Sequence, residues 1–124
     1  MAAPAAPTVQ IFGFADSRPT QAALRFFKER RVNVIFVDLR KRPIAPGELR
    51  RFAERLGAAA LLDTDGRGYK DLGLGYMRLG DDEIADRLLA NNRLLRLPLV
   101  RFGESVTAGP VDAIWRAWLA ATSR

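Results

Sequence analysis

The chain contains neither cysteine nor histidine. Without a thiol it has no thiolate nucleophile, no mixed-disulfide step and no structural disulfide. Without imidazole it has no Ser–His–Asp triad and no zinc site of the usual kind, and no metal site is expected. Long apolar runs are also missing, since none approaches the ~18 residues a membrane span requires. Met1 to Pro7 offer neither a basic start nor an apolar stretch, so no secretory signal is expected there. Lysine is scarce, with 3 against 17 arginines within a net charge of +6. These cations are spread along the chain, and the densest cluster, Arg40-Lys41-Arg42, is not interleaved with aromatics. A solvated basic surface is therefore expected, with no direct nucleic-acid binding. The default expectation is a cytoplasmic protein with no membrane attachment.

What is present is enough for one core. A chain of 124 residues, 48% hydrophobic, buries roughly two-thirds of its unfolded surface and needs no staple. Residues 1–7, rich in alanine and proline, read as a flexible arm, and residues 8–124 as one domain. Val9 to Phe14 is a short apolar run with apolar residues on both faces, which suits a central strand. Pro19 marks the first turn of a helix running to about Arg31, with Ala23, Leu24 and Phe27 at helical spacing. Val32 to Asp38 is a β-branched strand, and strand–helix–strand at this length is a right-handed βαβ unit.

The middle, about residues 45–92, reads as a helical insert. Pro46 opens a helix whose Leu49, Phe52, Ala53 and Leu56 share one face, and Gly57 stops it. Ala58 to Leu62 is a short apolar piece, and Asp63 to Gly66 is turn chemistry. Asp81-Asp82-Glu83 opens a further helix with buried-stripe residues Ile84, Leu88 and Leu89. Leu97 to Phe102 and Ser105 to Thr107 flank Gly103-Glu104 as a hairpin. A last helix from about Pro110 places Trp115 and Trp118 for core and hairpin packing. The fold class is α/β, with the order β-α-β, helical insert, β-β-α.

That order is the thioredoxin/glutaredoxin layout, and four stretches resemble the arsenate reductase (ArsC)/Spx/YffB family. Ile11-Phe-Gly-Phe-Ala-Asp-Ser17 resembles its first strand and redox loop, I-Y-G-x-P-x-C. Pro46 to Phe52 resembles its P-x-x-x-E-L insert helix. Ala60-Leu-Leu62 with Gly68 to Leu74 is similar to A-L-L … Y-K-x-L-G-L, and Leu94 to Val100 to L-L-x-R-P-I-V. The resemblance implies a cis peptide bond at Leu97–Pro98, near the helix that follows Ser17. It implies an oxidoreductase lineage whose attacking cysteine falls on Ser17. It also implies that three anion-holding arginines fall on Ala59, Leu97 and the Gly109-Pro110 pair, none of them cationic.

The candidate site is therefore Asp16, Ser17, Arg18, Arg96 and Pro98. Ser17 ahead of Pro19 is a preferred N-cap. Arg18 stands at a helix N-terminus, where it is either solvated or a weak anion contact. Asp16, beside it, would repel an anion. The leading functional reading is a redox-inactive binding module, its partner a protein or a small thiol or anion, with no bound cofactor. The alternatives are a glutathione- or glutaredoxin-linked arsenate or disulfide reductase whose cysteine was replaced by Ser17, and a Spx-like regulator that binds RNA polymerase.

Overall fold

In the computed structural model, which describes residues 7–122, strand β1 is Thr8–Gly13 and strand β2 is Asn33–Asp38. The two run parallel, from Thr8 opposite Asn33 to Gly13 opposite Asp38. Helix α1, Arg18–Glu29, makes the crossover between them. Three helices follow: α2 (Pro46–Leu56), α3 (Arg67–Asp71) and α4 (Asp81–Ala90), separated by single 3₁₀ turns. Strands β3 (Leu99–Phe102) and β4 (Ser105–Ala108) form an antiparallel hairpin, and α5, Asp112–Thr122, closes the described chain. The sheet order is β2-β1-β3-β4, so β1 is internal and pairs antiparallel with β3.

The pleat of β1 divides the interior in two. Val9 and Ile11 join Ala23, Phe26 and Phe27 of α1, Val100 of β3 and Trp115 of α5 in one cluster. Phe12 points the other way, into a cluster with Leu49 and Phe52 of α2, Ile84 and Leu88 of α4, and Leu99. Alternate side chains of one strand thus serve both faces, as a central strand requires. Phe26, Phe27 and Trp115 meet at ring-centroid distances of 5.0–5.5 Å. The Trp115 indole N–H is satisfied by donating to Thr107 Oγ1 at 2.9 Å. Trp118 packs on Phe102 of the hairpin at 5.8 Å.

Several boundaries differ from the sequence reading. Phe14 lies beyond the end of β1, where the chain turns toward α1. The last helix begins at Asp112 and not at Pro110, because Gly109 turns through φ +82° and Val111 supplies the carbonyl that opens the helix. Ala58–Leu61 is a 3₁₀ turn, and Leu62 then bridges to Leu95. Helix α3 was not expected; none of its residues is buried, so no apolar stripe announces it. Of the expected N-terminal arm, residues 1–6 lie outside the described residues. Among the described residues no helix is long and apolar enough to cross a membrane.

Candidate functional site

The loop leaving β1 is tight. Ser17 N–H donates to the Phe14 carbonyl at 3.0 Å, and the Ser17 carbonyl accepts from Gln21 N–H at 2.9 Å, starting α1. Ser17 holds the extended backbone of an N-cap, and its Oγ accepts from Thr20 N–H at 3.4 Å, a long bond. Beneath it, Thr20 is fully buried against Gly13, and a Cβ at position 13 would collide with the Thr20 side chain. Gly13 thus lets the helix terminus approach the strand end. Arg18 is exposed, with no ion-pair partner among the described residues.

Asp16 is not the isolated repulsive charge that its sequence position suggests. Arg93, 77 residues away, donates two hydrogen bonds to its carboxylate at 3.0 and 3.2 Å. Arg40, from the turn after β2, donates a third at 2.8 Å. The Arg93 guanidinium also lies 3.7 Å from the Phe14 ring centroid, a cation–π contact that fixes its plane. The Arg93 hydrogen bonds, with charge attraction from Arg93 and Arg40, hold the Asp16 carboxyl below its ordinary value. With Arg18, the loop surface carries three guanidinium groups against one carboxylate. Arg40 was read in the sequence only as part of a solvated basic cluster and Arg93 was not singled out, since only the folded chain brings them to position 16.

Pro98 is buried and its bond to Leu97 is cis, as the family resemblance implies. The pairing of Phe12 with Leu99 sets Pro98 one residue further, level with Gly13, at the sheet end that bears Ser17. Arg96 is anchored by its backbone: its N–H donates to Leu61 O at 2.8 Å and its carbonyl accepts from Gly109 N–H at 3.1 Å. Its side chain runs over Gly109 and lines a cavity beside β4, to which no residue of the Ser17 loop contributes. The fold therefore gathers Asp16, Ser17 and Pro98 at one end of the sheet and turns the Arg96 side chain to another surface.

Residues 15–117 match the family model described as the ArsC family. This chain belongs to the ArsC family. Its fold is shared with a solved YFFB protein at a TM-score of 0.82 and 19% identity, covering 88% of this chain and 96% of that one. An arsenate reductase from Vibrio cholerae is similar at a TM-score of 0.74 and 20% identity, with coverages of 85% and 92%. An ArsC-related protein from Brucella melitensis is similar at a TM-score of 0.71 and 17% identity, covering 94% and 98%. No curated protein matches the chain. At these identities the solved structures speak for the fold. The chemistry of this member depends on the residues at its own loop.

Proposed function

We propose that this ArsC-family protein is a binding module that has given up thiol chemistry. The observation that carries the reading is the state of position 17. Ser17 replaces the nucleophile, its hydroxyl serves as a helix cap, and the adjacent carboxylate of Asp16 is engaged by Arg93 and Arg40. A serine is a weak nucleophile without a partner base, and a carboxylate held by two guanidinium groups is a poor one. The positions where the resemblance places anion-holding arginines are Ala59, Leu97 and Gly109. The binding surface is the sheet end that gathers Asp16, Ser17, Arg18 and Pro98, while the Arg96 side chain lies on another surface. Its ligand is a protein segment or a small anion, glutathione included.

The test is an NADPH-oxidation assay with glutaredoxin or thioredoxin supplied, using arsenate and a disulfide as substrates. The expected rate is that of the buffer blank. Ser17→Cys should yield a thiol that titrates below the ~8.5 of a free cysteine, through the helix N-terminus and Arg18. Arsenate turnover should still be absent, because a nucleophile without positioned cations lacks most of the needed transition-state stabilisation. Turnover by the unaltered protein that disappears in Ser17→Ala overturns the proposal.

A further inference from the structure

A groove of about 560 Å³ runs beside β4, the edge strand of the sheet, between the end of α2 and the start of α5. That volume lies within the ~300–1,000 Å³ typical of small-molecule sites. Its walls are largely apolar, formed by Leu56, Val106, Val111, Ile114 and Trp118. Two guanidinium side chains, Arg96 and Arg55, line it as well.

Arg96 is the informative member. Its Nε is buried and has no hydrogen-bond partner among the described residues. A buried N–H of a charged group left unmatched is costly, so its occurrence calls for an acceptor arriving from outside the chain. The side chain is held in place from behind, since its Cγ and Cδ pass over Gly109 so closely that a Cβ there would stand 3.1 Å from both. Arg55 is weakly committed. Its contact with Glu104 is 3.7 Å long, and the two side chains are 58% and 91% exposed, so the pair holds neither group firmly. Two cations against one glutamate leave a single positive charge at the groove, which suits a monoanion.

We propose that this groove binds a small organic acid with an apolar body. The carboxylate accepts hydrogen bonds from Arg96, with Arg55 adding charge, and the body lies on Ile114 and Trp118. A carboxylate matches the planar fork of a guanidinium, and the apolar walls exclude a fully hydrated inorganic ion as the preferred ligand. The inference goes beyond the Ser17 reading and shares no residue with it.

The experiment uses the full chain and three probes: 4-phenylbutyrate, its uncharged amide, and inorganic phosphate. Binding is followed by tryptophan fluorescence, since Trp118 lines the groove, and by calorimetry. Phenylbutyrate should bind saturably, with the amide weaker by roughly tenfold or more, the size of a lost charged hydrogen bond. Arg96→Met keeps the aliphatic stem over Gly109 and should weaken phenylbutyrate by a similar factor while leaving the amide unchanged. Ile114→Glu, at a position 46% exposed and so tolerant of a charge, should weaken the acid through repulsion at the groove wall. Lys28→Met, at an exposed cation that lines neither the groove nor the Ser17 loop, should bind phenylbutyrate as the unaltered protein does, which separates the Arg96 effect from the loss of any one positive charge. The proposal is overturned by an absence of saturable binding, by equal affinity for acid and amide, by phosphate displacing the acid at matched concentration, or by unchanged binding in both groove variants.

Discussion

At position 16, an exposed carboxylate acts as a clamp. Asp16 joins the loop before α1 to the turn after β2 through Arg40, and to the segment before β3 through Arg93. Asp16→Asn should remove the charge that occupies both arginines and let a soluble anion take its place. Sulfate titrations followed by amide shifts at Ser17, Arg18 and Thr20 should show tighter binding in the variant. The pH dependence has a definite sign. A carboxyl held below its ordinary value keeps its ion pairs down through the usual aspartate range and loses them only as pH falls through that lowered value. In the unaltered protein sulfate binding should therefore rise only on the far acid side, while in Asp16→Asn that rise should be missing. Ser17 and Asp16 were legible because they sit in one contiguous motif. Arg93 was not, since nothing in a linear spacing of 77 residues reports that two side chains meet.

Among the elements, α2 shows how a helix without a capping oxygen is started. Its N-cap is Ala45, which offers none, and Glu48 compensates by accepting from the Ala45 N–H at 2.9 Å. The same carboxylate accepts two hydrogen bonds from Arg42, at 2.8 and 2.9 Å, which chiefly hold it below the usual glutamate value. Glu48→Ala should cost about 1 kcal/mol, the ordinary worth of a cap. That contribution is full above the unfolded-state pKa and fades as pH falls through the lower folded value, so urea midpoints of the two proteins should converge in acid. Helix α2 was readable because Leu49, Phe52, Ala53 and Leu56 repeat at its period between Pro46 and Gly57. Helix α3 left no comparable trace, being five residues long with none buried.

Across the whole molecule, the two clusters share the strands that separate them. Val9 and Ile11 serve one face and Phe12 the other, and in β3 Val100 and Leu99 divide in the same way. Neither face can be lost without unpairing side chains that anchor its neighbour. Tryptophan fluorescence, which reports the α1 and α5 face, and far-UV circular dichroism, which weighs α2 and α4 heavily, should give coincident urea transitions. Separate midpoints would show that the helical insert unfolds as a unit of its own. The internal place of β1 was legible from apolar residues on both its faces. The outer place of β2 was not, because Val34 to Val37 is as continuously apolar as a covered strand, yet Ile35 is 54% exposed.

The sheet order also carries a consequence for synthesis. On the ribosome β1, α1 and β2 emerge together, while β3, the strand that must lie against β1, follows only after the whole segment from Asp38 to Leu99 has been made. At about 5–20 residues per second the nascent chain spends several seconds with one side of β1 unpaired. During that interval Ile11 and Phe12 lack their partners from Leu99 and Val100, and the open strand edge is available to another chain. A holdase bound to ribosome-attached chains should therefore engage this protein until the hairpin has left the exit tunnel, and release it after.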